Sequence, residues 1–438
     1  MSRCYDVLGI GFGPANLALA IALQEEDAGL DMHFLESAPQ NTPWQSGMML
    51  PGSDIQNHPV RDLVSLRNPR SRYSFVNYLF ENDRLLEHLN LPLEFPLRKE
   101  YAQYIAWVGA HFSHFVDFGT RVTEVRIEDD REHGRVHRVS TADGRSFLTR
   151  ALVVGTGRAP YVPAPFDTVT DARVVHLTGF LPALRALEEA AQGNGDAGAG
   201  SWPPREIAVV GGSQSAVELT LDLSRRFPQA DVTVWARSHS LRQKDTSPFS
   251  EEGYFPQFTD YYYRAPRDSK RTLDAYMRPT NYSSADADVL RELYVRMYEE
   301  RLDGEERISL CGSRRITSVQ PRPDGVHFTA VESVTGESEQ RRADLVVLAT
   351  GFRDLGPGAS QDPFPQVLAG IADQLVFDAD GYLALSAEYL LEPASPDTPP
   401  LFLNGLCESS HGIGDAGSFS LLSIRAKTIS DRLRKLDR

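Results

Sequence analysis

Two stretches of this chain repeat one pattern: an apolar strand, a glycine-rich turn, a helix and a second strand. In the first, DVLGIGFGPANLALAIALQEE at residues 6–26, the strand covers residues 6–9 and the helix residues 15–24. A second strand at 32–36 ends in an acid. The other stretch, REIAVVGGSQSAVELTLDLSRRFPQADVTVWARS, occupies residues 205–238, about 200 residues further on. Each reads as a βαβ unit. Two such units commit the chain to an α/β fold class with two Rossmann-like dinucleotide-binding domains.

The turns explain why these residue types are needed. Gly11 permits the tight turn and Gly13 lets the backbone approach a pyrophosphate, while the helix N-terminus offers free N–H groups and a positive dipole end. Asn16 stands where a third small residue is usual. Glu36, at the end of the second strand, is placed to hydrogen-bond a ribose. The second unit reads Gly211, Gly212, Ser213, Gln214, Ser215, with a small serine at its second glycine position. Its second strand is followed by Arg237 instead of an acid, which favours a 2′-phosphate and therefore NADPH over NADH. Arg242 and Lys244 lie close by in sequence. Two dinucleotides that meet imply a flavin paired with a nicotinamide.

Composition removes several alternatives. The 60 acidic residues outnumber the 45 basic ones, for a formal charge of −15, which argues against nucleic acid as a partner. The three cysteines, Cys4, Cys311 and Cys407, include no CxxC pair, so neither a redox dithiol nor a zinc site is expected. That also sets aside a disulfide reductase, which pairs two dinucleotide units as well. No apolar run of about 18 residues and no targeting pattern is evident, so no membrane association is expected and the predicted location is cytoplasmic. Between the two units, residues 188–206 are rich in Gly and Ala and read as a surface loop. Residues 246–304 read as a smaller, mostly helical region, and strand-like runs follow at 343–352 and 399–406. A final amphipathic helix is expected over 418–436.

With these segments in view, the sequence resembles the flavin-dependent N-hydroxylating monooxygenases, the siderophore-type ornithine and lysine hydroxylases. GIGFGPANLALAIAL is similar to their FAD turn, where Asn at the third position is usual, and VVGGSQSAVE to their NADPH turn. WQSGMMLPGSDIQ and RDLVSLRNPRSRYSFVNYL are similar to the segments bordering flavin and substrate, and DTSPFSEEGYFPQFTDYYY and TNYSSAD to the substrate-side insertion. Asp344, the run Leu348 to Phe352 and Pro357 follow the spacing of the family's ATG signature, and ESSHGIGDAGSFSLLSIRA resembles its closing segment.

The resemblance implies an FAD domain from residues 1–165 and 340–438, an NADPH domain from 170–245 and 305–340, and a helical substrate-binding insertion at 246–304. It implies hydroxylation of a primary amine of a small amino acid or amine with O2, through a C4a-hydroperoxyflavin, in secondary metabolism such as siderophore biosynthesis. A homo-oligomer, dimer or tetramer, is implied too. Gly11, Gly13, Asn16 and Glu36 would hold FAD, with Trp44 and Gln45 bordering it and Gln56 near the isoalloxazine and NADP ribose. Gly211, Ser213, Gln214, Ser215, Arg237 and Arg242 would take NADPH. Asn281 would meet substrate and NADP+, Thr350 and Gly351 would line the return strand, and Ser420 would lie in the closing segment. No metal is called for. A Baeyer–Villiger or sulfur-oxidising monooxygenase is the alternative.

The substrate side departs from the family. Arg61 stands where ornithine-type members present Lys to the substrate carboxylate, and Glu251 stands where Asn is usual. A planar guanidinium suits a compact dicarboxylate such as L-aspartate. Glu251 would repel a second carboxylate and instead suits the ammonium of a diamine or diamino acid. Both readings stand at this level, beside an unchanged ornithine pocket. His58 and His411 are read as hydrogen-bonded structural residues, and Tyr261, Tyr262 and Tyr263 as packing.

Overall fold

The computed structural model describes residues 3–40, 42–193, 202–415 and 417–436. The heart of the predicted Gly/Ala-rich loop, residues 194–201, lies outside the described residues.

The chain opens with β1 (Cys4–Ile10), turns through Gly11–Gly13 and enters α1 (Pro14–Glu25). Every residue of α1 from Asn16 to Leu23 is buried, because the run NLALAIAL carries no polar face. The helix packs on the C-terminal helix and shares one hydrophobic core with the strands of the first sheet. The sheet continues with β2 (Met32–Leu35), which runs parallel to β1. A helix α2 (Arg98–His111) follows, contributing the fully buried rings of Tyr101 and Tyr104 to the same core. After it come β3 (Val116–Asp117), β4 (Val122–Asp130), β5 (Gly134–Thr141) and β6 (Ser146–Val154). The spatial order is β3-β2-β1-β6-β5-β4, with β4, β5 and β6 joined as an antiparallel meander.

The second sheet is all parallel and begins with β7 (Val174–His176) and β8 (Glu206–Val210). α3 (Gln214–Arg226) and β9 (Asp231–Trp235) complete the second βαβ unit where the sequence pattern predicts it. The crossover from β9 to its parallel neighbour contains the helical region, including α4 (Pro256–Arg264), α5 (Arg267–Met277) and α6 (Ala287–Leu302). α6 packs on α3 through Leu293, Val217 and Leu221, so the last part of this region belongs to the core of the second unit. β10 (Ile308–Cys311) then pairs with β9, and β11 (Arg314–Arg322), β12 (Gly325–Glu332) and β13 (Ser338–Ala343) form a separate antiparallel sheet.

One strand departs from the expected division. β14 (Leu345–Leu348), assigned with residues 340–438 to the first unit, lies between β8 and β7 in the second sheet. Its four residues, LVVL, are all buried, and an apolar run covered on both faces suits the interior of either parallel sheet. Only afterwards does the chain return to the first unit, where β15 (Leu401–Leu403) pairs with β6 and α7 (Leu422–Arg434) packs on α1.

Candidate active site

At the first turn Gly11 has φ +84°, and a Cβ there would sit 2.6 Å from the Gly155 carbonyl oxygen at the end of β6. Gly13 caps α1 with nothing within 4 Å of a built Cβ, and among the described residues no side chain caps the helix. That leaves an open concavity beside unpaired N–H groups, which fits a pyrophosphate. Glu36 accepts from the N–H groups of Phe12 at 2.7 Å and Ala38 at 2.8 Å, tying the turn to the end of β2.

Asn16 differs from the other three. It is fully buried, its amide donating to the carbonyls of Gly11 at 2.7 Å and Ile10 at 3.2 Å. Its oxygen accepts from Asn404 at 3.0 Å, and Asn404 in turn accepts from Arg425 at 2.9 Å. Asn16 therefore holds the turn expected to carry FAD from inside, where its carboxamide bridges two carbonyls and an amide.

At the second turn Gly211 has φ +150°, and a Cβ would meet the Ala349 carbonyl oxygen at 2.4 Å. Ser213 caps α3 without a side-chain bond. The Gln214 N–H donates to the Ser284 carbonyl at 3.0 Å, and its side-chain oxygen accepts from the Asp286 N–H at 2.8 Å. The helical region is thus docked on the turn itself. Arg237 and Arg242 are exposed, and among the described residues neither forms an ion pair. Thr350 donates to the Tyr161 carbonyl, and the Gly351 carbonyl accepts from the Tyr161 N–H at 2.9 Å. These two residues strap the units together and do not line the cavity described next.

A cavity of about 440 Å³ lies between the two units. Trp44, Gln45, Gln56 and Arg61 approach from the first unit, Gln214, Ser215 and Lys244 from the second. Glu251 and Asn281 approach from the helical region and Ser420 from the C-terminal segment. Gln45 and Gln56 take φ +54° and +52°, a left-handed conformation that non-glycine residues adopt at a cost and that concentrates at working sites. The Gln56 side chain donates to Asp286. Trp44 meets Phe419 edge-on with centroids 5.1 Å apart. Arg61 Nη1 lies 3.1 Å from Ser420 Oγ and 3.5 Å from Glu251 Oε2, so the two substrate-side departures in the sequence are neighbours in space.

Sequence reasoning missed Arg98, which also lines the cavity. Its guanidinium donates to both Glu218 oxygens at 3.0 Å and to the Met48 carbonyl at 2.8 Å, binding α2 of the first unit to α3 of the second. The partners are 120 residues apart and belong to no motif, so only the fold reveals them. Close to this pair, burial and the charges of Asp286 and Glu218 push the Asp54 carboxyl up to about 6, against one N–H from Gln56. A raised carboxyl contributes stability that is complete below about 4 and lost as pH rises through about 6. Asp54→Asn keeps the acceptor and removes the charge. It is expected to raise Tm at pH 7.5 and leave it unchanged near pH 4, as thermal unfolding at both pH values will read.

His411 is buried, stacked on Tyr389 with centroids 4.1 Å apart and bonded to Ser410 Oγ at 2.8 Å. His58 lies exposed, its Nδ1 accepting from the Val60 N–H at 3.3 Å. Among the described residues no group of His, Cys, Asp or Glu is arranged to hold a metal, and no helix is long and apolar enough to cross a membrane.

Comparison with known proteins shows the family and the fold. The family model described as L-lysine 6-monooxygenase/L-ornithine 5-monooxygenase matches residues 3–354. An L-ornithine N(5)-monooxygenase of Burkholderia cepacia is 34% identical over 432 residues, covering 97% of this chain and 93% of its own. An ornithine N-hydroxylase of Kutzneria sp. 744, solved with reduced FAD, NADP+ and L-ornithine, superposes with a TM-score of 0.87 at 31% identity, covering 98% and 99% of the two chains. An L-lysine 6-monooxygenase structure from Pseudomonas syringae gives a TM-score of 0.82 at 31% identity over the same shares.

Proposed function

The chain belongs to the L-lysine 6-monooxygenase/L-ornithine 5-monooxygenase family, and from that premise we propose that its substrate is a small diamino acid of the ornithine type. The protein is a flavin-dependent N-hydroxylating monooxygenase whose cofactors are FAD and NADPH. When bound, these supply the reducing equivalents and the activated oxygen that the amine nitrogen receives.

The chain's own part is binding, placement and exclusion of water. Gly11, Gly13 and Glu36 would hold FAD at the first turn, with Trp44 and Gln45 at its edge. Gly211, Ser213, Gln214 and Ser215 would receive NADPH, with Arg237 and Arg242 on the outer rim for a 2′-phosphate. Thr350 and Gly351 keep the two sites in register through Tyr161.

The observation that carries the substrate reading is the Arg61–Glu251 pair in the cavity wall, 3.5 Å apart, with Ser420 on the same guanidinium. An α-amino acid head carries one carboxylate and one ammonium, and this pair offers one partner for each. The side-chain amine would then extend toward Gln56 and Asn281. A dicarboxylate such as L-aspartate would bring its second charge against Glu251, and a diamine would offer Arg61 no substrate carboxylate. The L-aspartate and plain diamine readings are therefore the weaker ones.

Assays of L-ornithine, L-lysine, L-aspartate and putrescine for hydroxylamine formation test this directly. Turnover of aspartate or putrescine with both diamino acids inert would overturn it. Arg61→Ala is expected to raise KM for the diamino acid about 10- to 100-fold, the loss of one charge-assisted contact, with a much smaller change in kcat. The homo-oligomer implied by the resemblance stands as part of the proposal, and a monomer in sedimentation would remove it.

A further inference from the structure

The cavity wall made by Asn281 and residues 417–420 rests on four side chains that amine binding does not use. Tyr282 Oη donates to Glu408 Oε2 at 2.5 Å, and Arg158 Nη1 donates to Tyr282 Oη and to Asp354 Oδ1, each at 2.9 Å. A longer contact of 3.8 Å joins Arg158 to Glu408. Gly417 lies directly on this group. A Cβ there would fall 3.0 Å from Arg158 Nη2, 3.1 Å from Asn281 Nδ2 and 3.2 Å from Tyr282 Oη. One backbone position therefore touches both the cluster and the cavity-lining Asn281, and the residues after it carry Phe419 onto Trp44 and Ser420 under Arg61.

One guanidinium here faces two carboxylates. Asp354 takes it at hydrogen-bond distance and is 32% exposed, while Glu408 is more distant and 16% exposed. Two ionised carboxylates would leave an unpaired charge out of water, so the less exposed one keeps its proton.

We propose that Glu408 is a positioning residue of the amine site: as a neutral acid it leaves Arg158 on Asp354 and Gly417, and on ionising it draws Arg158 away and loosens the wall that carries Asn281 and Ser420. The inference rests on the amine N-hydroxylation assigned to this cavity. Burial and the charges of Asp354 and Asp415 push the Glu408 carboxyl up to about 8, against Arg158 and the Tyr282 hydroxyl. The other groups facing it are Tyr254 and Tyr262, both pushed up by burial, and Arg278, 5.5 Å over the Tyr282 ring. Lys270 donates to the Ser410 carbonyl on the same segment at 3.2 Å, and burial lowers it to about 8. It is the control.

The test is kcat/KM of the holoenzyme for L-ornithine between pH 7 and 9.5. The wild type is expected to fall about tenfold per pH unit above a limb near 8, through KM. Glu408→Gln is expected to flatten that limb. Tyr282→Phe removes a hydroxyl that favours the ionised form, so the limb moves to higher pH. Lys270→Arg is expected to keep it. A limb retained in Glu408→Gln, or lost in Lys270→Arg, overturns the proposal.

A second readout needs no substrate. A carboxyl raised from its ordinary 4.5 to about 8 gives stability that is present below 4.5 and lost as pH rises to 8. Wild-type Tm minus Glu408→Gln Tm should therefore fall across that window and level off above it, and a constant difference overturns the proposal. Inactivity toward every amine would strike the substrate reading and leave this comparison standing.

Discussion

Gly11→Ala is expected to leave purification without its flavin. The residue sits at φ +84°, where an L side chain is strained by about 1–2 kcal/mol, and its new methyl would lie 2.6 Å from the Gly155 carbonyl oxygen. The clash is with backbone, and Gly155 cannot retreat, because a Cβ there would already lie 2.7 Å from Asn16 and the side of the strand is filled. The turn itself must move. Moving it withdraws the N–H groups of the following helix from the phosphates, and charge-assisted bonds of that kind contribute about 1.5–3 kcal/mol each. Loss of one or two corresponds to flavin binding weaker by about 10- to 20,000-fold. The visible spectrum after gel filtration reads this at once. A yellow Gly11→Ala protein with full flavin content would show that the turn does not hold FAD.

The second large effect is on stability. Arg425 and Asp415 form an ion pair at 2.9 Å with side chains 2% and 1% exposed. Arg425 also donates to the Asp415 carbonyl at 2.7 Å and to Asn404 at 2.9 Å, and Asp415 accepts from the Cys407 N–H at 2.6 Å. Arg425→Leu leaves a carboxylate and an amide oxygen enclosed without their donor. Removing one partner of a buried pair costs about 3–5 kcal/mol. Chemical denaturation should show a loss of that size. Because Asn404 bonds Asn16, which pins the Gly11 turn, flavin retention should fall together with stability. A variant within about 1 kcal/mol of wild type would show that the network is dispensable.

Much of the fold can be read from residues 6–36 and 205–238 because their constraints are local. Gly11 needs its left-handed turn, α1 is buried on every face from Asn16 to Leu23, and β1, β2, β8 and β9 are short, mostly buried and largely apolar strands of the kind a parallel sheet covers. The position of β14 is not local. LVVL suits either sheet, and pairing with β8 and β7 is decided only in three dimensions.

The same division holds for the site. Gln56, Arg61, Glu251, Asn281 and Ser420 do line one cavity. The role of Asn16 was hidden because burial is not written in a motif. Arg98 and Glu408 were missed because each acts through a partner more than 100 residues away, Glu218 and Tyr282 respectively.

The placement of β14 also bears on how such proteins can be recombined. The backbone passes from the first unit to the second after β6, and passes back only after β14 has been laid into the second sheet. The second unit is therefore not a cassette that can be excised at the two ends of its βαβ core. A chimera that exchanges 205–311 alone would join β8 of one parent to β14 of the other and create a foreign seam in the middle of a parallel sheet. A graft from β7 through β14 moves the sheet whole and puts both junctions in loops.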